Sequence, residues 1–115
     1  MLPRASRLNA SGDFRSTIRR GVRVGRPTLV LHVSASERDG VRVGMVVSKA
    51  VGNAVTRNRV KRRLRHLAAE QLERTPSGID IVVRALPPAA NPSSNLGPDL
   101  DAAWTTVLRK LGSRP

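Results

Sequence analysis

Ten consecutive residues, Arg57 to His66, carry six fixed cations: Arg57, Arg59, Lys61, Arg62, Arg63 and Arg65. Arginine presents a planar fork of donors that fits a phosphate in a bidentate way. A merely solvated helix face mixes signs, with acids and bases four residues apart. Here no acid follows until Glu70, so the run repels itself and a polyanion is its natural partner. At about 100° per residue, Arg57, Lys61 and Arg65 form one row, with Asn58 and Arg62 beside it. Val60, Leu64 and Leu67 gather on a side that would pack on a sheet. Arg59, Arg63 and His66 take the far flank. The stretch reads as an anchored helix with a wide basic arc, facing nucleic acid.

Cleaving nucleic acid is a separate question. A protein nuclease usually needs clustered carboxylates for Mg²⁺ or a histidine pair for general acid–base work. The acids are Asp13, Glu37, Asp39, Glu70, Glu73, Asp80, Asp99 and Asp101, scattered over turns, caps and helix ends without motif spacing. Asp99 and Asp101 suit capping and the positive end of a helix dipole. His32 and His66 fall on different elements. Gly52 stands alone, with no GK[ST] after it, so no nucleotide loop is present. The chain is equipped to bind nucleic acid and not, by itself, to cut it.

The residue order adds to the composition. Ser48-Lys49, Gly52-Asn53-Ala54-Val55, Arg57-Asn58-Arg59 and Lys61-Arg62 follow one another without a gap. This resembles the signature of the bacterial ribonuclease P protein subunit, and the resemblance extends over about residues 8–111. One departure lies at Ala50, where many family members carry a second lysine.

The resemblance implies a protein that assists a catalytic RNA. In the family that RNA uses metal ions to hydrolyse the 5′ leader from precursor tRNA, and the protein supports cleavage at physiological magnesium while gripping the leader. Catalytic residues are then expected in the RNA, and none in this chain. Contacts to the catalytic RNA are expected from Lys49, Asn53, Arg57, Asn58, Arg59, Lys61, Arg62 and Arg65. Contacts to the leader are expected from Phe14, Ile18, His32 and Val47. From its pattern alone Phe14 could equally be core; the resemblance makes it a platform in a cleft. His32 stands where many members have tyrosine and Ile18 where another aromatic is common, so this cleft is poorer in aromatics. Stacking, worth about 1–3 kcal/mol per base where it occurs, then rests on Phe14 with His32 assisting. No cofactor is expected on the protein alone, while the ribonucleoprotein would require Mg²⁺. The expected partners are ribonuclease P RNA and precursor tRNA, with no membrane and no nucleotide cofactor.

Composition agrees with a polyanion partner. The 115 residues carry a net charge of +13, and 21 are lysine or arginine against 8 acids. The length suits one domain, residues 1–115, with about 8–111 as ordered core and 1–7 and 112–115 as flexible ends. There is no cysteine, hence no disulfide framework or thiolate metal site, which suits a reducing cytoplasm. No apolar run approaches the ~18 residues of a membrane span. Residues 1–20 lack the apolar core of a secretory signal. An organellar transit peptide is the other reading of their Arg/Ser content, but the Asp13-Phe14 helix pattern fits a folded element better.

The elements that must hold these residues follow from periodicity. Residues 1–10 read as an extended arm, and a short helix over about 12–20 is capped by Ser11 and stopped by Gly21. Val22 to Pro27 is a short extended piece. Strands are expected at Thr28–Ser36 and Val41–Ser48, paired as a hairpin through Glu37–Gly40. Gly44 marks a bulge or a close backbone approach. The basic helix should run from about Ala54 to Arg74, ended by Thr75–Gly78. Ile79–Leu86 is apolar enough for a central strand, and strand–helix–strand suggests a βαβ unit with 41–48 and 79–86 parallel. Residues 87–98 form a Pro/Asn/Ser-rich loop, and Asp99 caps a last helix striped by Leu100, Trp104, Val107, Leu108 and Leu111. Trp104 reads as core. The expected fold is α+β: a two-layer α/β sandwich, order αβββαβα, with a mixed, mainly antiparallel sheet of about four strands. The resemblance implies a left-handed crossover.

Two other functions fit basicity alone. One is a ribosomal or general RNA-binding or annealing protein, which would not demand the residue order of 48–62. The other is a DNA-binding helix in a major groove, for which no second-helix signature or dimer seam is visible. Cleavage of precursor tRNA separates the first reading from both.

Overall fold

The structure, a computed structural model, describes residues 2, 4–8 and 11–112. A 3-10 turn at Arg4–Ser6 precedes α1 (Ser11–Arg20), β1 (Val22–Gly25), β2 (Leu29–Ala35), β3 (Val41–Val46), α2 (Ala54–Ala69), β4 (Ile79–Ala85) and α3 (Leu96–Gly112). The order is the expected αβββαβα, around one mixed four-stranded sheet. The N-cap expected at Ser11 is a side-chain role that lies outside the described residues.

The sheet order is β1-β2-β4-β3, which corrects the expected hairpin. β2 and β3 do not pair; β4 lies between them, antiparallel to β2 and parallel to β3. The reason is burial on both faces: every residue of β4 except Arg84 is buried, which suits the middle of a sheet. The 36–40 turn therefore straddles the start of β4 and is fastened to it. Ser36 N–H donates to Gly78 O at 2.7 Å and Gly78 N–H to Gly40 O at 2.8 Å. Gly40 and Gly78 take φ of 89° and 83°, a region that only glycine enters cheaply.

Period-2 alternation sorts the side chains onto two faces. One face presents Leu29, Leu31, Val33, Ile81, Val83 and Val43, all buried in the main core with α2 and α3. Val60, Leu64 and Ala68 are the buried stripe of α2. Trp104 on α3 is fully buried, as expected, and its Nε1 donates to Thr75 Oγ1 at 2.8 Å. That bond satisfies a polar group that would otherwise be stranded in the core. The other face carries Val30, His32, Ser34, Asp80, Val82, Arg84, Arg42, Gly44 and Val46, partly covered by α1.

Three boundaries differ from expectation. α2 ends at Ala69 and tightens into a 3-10 turn at Leu72–Arg74, because Thr75 Oγ1 turns back to donate to Gln71 O at 2.7 Å. α3 begins at Leu96, so Asp99 sits in its first turn instead of capping it. Asp99 Oδ2 accepts from Thr28 N–H at 3.1 Å and from Thr28 Oγ1 at 2.6 Å. It thus ties the β1–β2 turn to α3 while keeping its favourable place in the helix dipole. Residues 1–10 were expected as an arm; Leu2 and Leu8 are buried, and Arg7 makes a parallel bridge to Val43 that covers part of the β3 edge.

Candidate nucleic-acid interface

The basic helix is aimed by its first turn. Asn53 is the N-cap, with ψ of 176°, and its Oδ1 accepts from Thr56 N–H at 2.9 Å. This occupies the side-chain acceptor of a residue expected to contact RNA, and leaves its amide donor for that task. Burial of Val60, Leu64 and Ala68 then fixes the rotation of α2. Lys49, Asn58, Arg62 and Arg65 are exposed, while Arg57 and Lys61 are half-buried. No acid stands in the first turn, so the positive end of the helix dipole is unscreened there.

The two basic flanks are used differently. Arg59 donates to Ala90 O, and Arg63 donates to Ser94 O at 3.3 Å. This flank fastens the 87–95 connection to α2. Among the described residues, Arg57, Lys61 and Arg65 show no such tether, and Arg57 Nε is buried without a partner. The row anticipated from helical spacing is therefore the more available one, and Arg59 is partly committed within the protein.

The expected leader contacts divide. Phe14 is half-buried and lies against Gly44 of β3, which explains the glycine as a close approach; the β3–β4 register runs on without a bulge. Ile18, one helical turn on from Phe14, is 38% exposed. Val47 is only 7% exposed and packs in the main core with Val51 and Val60, because the chain folds inward as it leaves β3. It cannot present itself to a ligand. His32 is 3% exposed, and neither ring nitrogen has a partner. It lies beneath α1 and not on an open floor. Burial, assisted by the charges of Arg84 and Arg23, holds its pKa below the ordinary histidine value.

α1 is pinned by an ion triad that the sequence did not reveal. Arg42 donates to Asp80 through Nε (2.9 Å) and Nη2 (2.7 Å), and to Asp13 through Nη1 (3.2 Å). The Asp80 hydrogen bond is the main cause that raises the Arg42 pKa. Thr17 and Ser34 meet at 3.5 Å one turn further along. With Asp13 and Thr17 turned to this row, Phe14 and Ile18 lie about 100° round the helix, towards the row of Gly44, Val82 and His32.

At the β3 edge a cleft of about 190 Å³ is bordered by Phe14, Gly44, Arg7, Lys61 and Arg65 among others. It brings the aromatic of α1 and the free row of α2 to one opening. Sequence reasoning missed Arg7 on this cleft, and two further residues outside it. Arg7 arrives with the N-terminal segment. Val55 is 77% exposed in the first turn of α2. Arg84 is a half-buried cation and, among the described residues, the one basic residue of β4; its position at period 2 from Asp80 and Val82 was the available signal.

Four of the eight carboxylates are engaged in structure. Asp13 and Asp80 hold Arg42, Asp99 holds Thr28, and Asp101 accepts from Gln71 and Arg74. Among the described residues no three His, Asp or Glu side chains are grouped closely enough to hold a metal ion. Among the same residues no helix is long and apolar enough to cross a membrane.

Comparison with known proteins places this geometry. The family model described as Ribonuclease P matches residues 2–111. The ribonuclease P protein component of Kocuria rhizophila is 52% identical over 111 residues, covering 96% of this chain and 98% of its own. That of a Nocardioides species is 55% identical, covering 93% and 95%. Among solved structures, a Staphylococcus aureus RNase P protein superposes with a TM-score of 0.77 at 29% identity, covering 94% of this chain and 96% of its own. The Thermotoga maritima protein gives a TM-score of 0.63 at 26% identity, with 92% of each chain covered.

Proposed function

The chain belongs to the ribonuclease P protein family, and from that premise we propose that it binds both the catalytic RNA and the 5′ leader of precursor tRNA. The reading is supported above all by the shared opening at the β3 edge, where Phe14 borders the same cleft as Lys61 and Arg65. A protein that grips two RNAs at once needs the two contact sets side by side.

On this reading Lys49, Arg57, Asn58, Lys61, Arg62 and Arg65 hold phosphates of the catalytic RNA, with the Asn53 amide beside them and Arg59 contributing from the tethered flank. Each neutralised phosphate releases counterions, so affinity falls with salt by a slope of about 0.9 per contact on duplex. The exposed Val55 covers sugar or base edges next to this row. The net charge of +13 relieves repulsion between the two RNAs and lowers the magnesium needed to bring them together. Mg²⁺ itself is held by RNA and supplies the hydrolytic chemistry there; this chain orients the leader and screens charge. The product would be a tRNA with a 5′-phosphate, made in the cytoplasm.

The leader enters as unpaired RNA, whose splayed bases can stack. Phe14 offers a face for one base and Ile18 an apolar wall, while His32 supports the sheet beneath them. The reading is tested by the affinity of the holoenzyme for precursor tRNA with and without its leader. Preference for the leader is expected to fall about tenfold in Phe14→Ala, within the range for one lost stack. An equal loss for leaderless tRNA would make Phe14 a structural residue only.

A further inference from the structure

Arg84 is a cation that the fold leaves without a counter-ion. It is half-buried on the α1 face of the central strand, its Nε is inaccessible and unpartnered, and it forms no ion pair among the described residues. The carboxylates on this face of the sheet and on α1 are spoken for, since Asp80 and Asp13 are both bound to Arg42. Beside Arg84 stands His32, buried, with two unpartnered nitrogens, and across from His32 in the sheet register lies Arg23. A polar atom this inaccessible ordinarily has a hydrogen-bond partner, and the Arg84 Nε has none in the protein. Three nitrogen-bearing side chains thus converge on one face with no protein acceptor.

The surroundings say what the missing partner is. Arg84 lies in register between Val30 of β2 and Val46 of β3, so its flanks are apolar and close to flat. Phe14 and Ile18 stand on the side of α1 that looks towards this part of the sheet. We propose that Arg84 is a phosphate-binding point on the floor of the α1 cleft, taking one phosphodiester of single-stranded RNA, with His32 buried beside it. This deepens the leader-binding reading and rests on it for the identity of the RNA. A fixed phosphate contact offsets the shortage of aromatic faces in this cleft: the strand is held by its backbone where stacking partners are few.

The test uses the full-length protein and a single-stranded oligoribonucleotide of about eight nucleotides, with affinity measured against salt. Arg84→Met keeps the aliphatic stem and removes the charge; Arg84→Lys keeps the charge. Arg84→Met is expected to bind about tenfold more weakly at low salt, in line with the loss of one charged hydrogen bond. Its salt slope should be shallower by about 0.7, the value for one phosphate of a single strand. Arg84→Lys should restore the slope. Unchanged affinity and slope in a folded Arg84→Met protein would overturn the proposal, as would a loss that Arg84→Lys fails to restore. Precursor tRNA cleavage by the reconstituted holoenzyme separates the two levels. If the wild-type protein does not promote it, yet Arg84→Met still loses its slope on the oligonucleotide, the phosphate point stands and the leader assignment falls.

Discussion

The Phe14 ring occupies the space that a side chain at Gly44 would need. A Cβ built on Gly44 falls 2.5 Å from Phe14 Cε1 and nearer still to Cζ, so α1 can lie this low on the sheet only over a glycine. The position of the sole aromatic of the cleft is thereby written into a strand residue with no side chain. Gly44→Ala is expected to lift Phe14 and cost about 1–3 kcal/mol by overpacking. Urea denaturation measures the cost, and leader preference of the holoenzyme should fall with it. A variant of wild-type stability and leader preference would show that the ring moves freely.

The Arg42–Asp80 pair, which Asp13 joins to α1, underlies the second fastening of that helix. Its side chains are 14% and 11% exposed, so removing one partner strands the other in a low-dielectric site. Arg42→Met should destabilise the fold by about 3 kcal/mol. The double variant Arg42→Met with Asp80→Leu should recover most of that loss, because both charges leave together. Asp13→Asn removes only the half-exposed third member and should cost much less. Chemical denaturation of the three variants decides the matter; equal losses in all of them would argue against a buried pair.

His32 makes stability depend on pH. Its pKa is depressed in the folded protein, first by burial and then by Arg84 and Arg23. Below the ordinary histidine value of about 6.5 the unfolded chain takes up a proton more readily than the folded one. Stability from this source is therefore full above that pH and is lost as pH falls through the lowered value. Thermal melts between about pH 7.5 and 5 should show a decline that His32→Leu makes shallower. A phosphate bound at Arg84 would oppose the decline, so the oligoribonucleotide should protect the wild type more at the acid end.

The two flanks of α2 should separate in mutagenesis. Alanine at Arg57, Lys61 or Arg65 is expected to reduce the salt slope for the catalytic RNA by about 0.9 each, with little change in melting. Arg63→Ala loses its bond to Ser94 O and should instead loosen the 87–95 connection, read as faster amide exchange there. Identical salt slopes for both groups would contradict the assignment of separate tasks.

Much of this fold was legible because local patterns and burial agreed. The largely apolar composition of β4 pointed to its central place, and the Val60–Leu64 stripe gave the rotation of α2 and hence the row Arg57, Lys61, Arg65. Trp104 declared itself as core by its spacing with Leu100 and Val107. The failures share a cause in long-range partners. A turn at Glu37–Gly40 looks alike whether its strands touch or admit a third between them. Asp99 reads as a cap until Thr28, 71 residues away, claims its carboxylate. At the site, the residue order 48–62 carried the expectation of RNA contacts, but the commitment of Asn53 to capping and of Arg59 to Ala90 is tertiary. Val47 and His32 were placed by resemblance, and only packing could show that both are buried. Arg42 and Arg84 were invisible as a contrasting pair, one satisfied by two acids and one by none.

The central claim is that this chain enables an RNA to cut precursor tRNA and does not cut it alone. It is tested most directly by 5′-leader cleavage at low magnesium, using a bacterial ribonuclease P RNA with and without the protein, and the protein by itself. Strong cleavage is expected only when both are present, and it should fade as the Arg57, Lys61 and Arg65 charges are removed. Equal cleavage by the RNA with and without the protein, while tight RNA binding persists, would contradict the account.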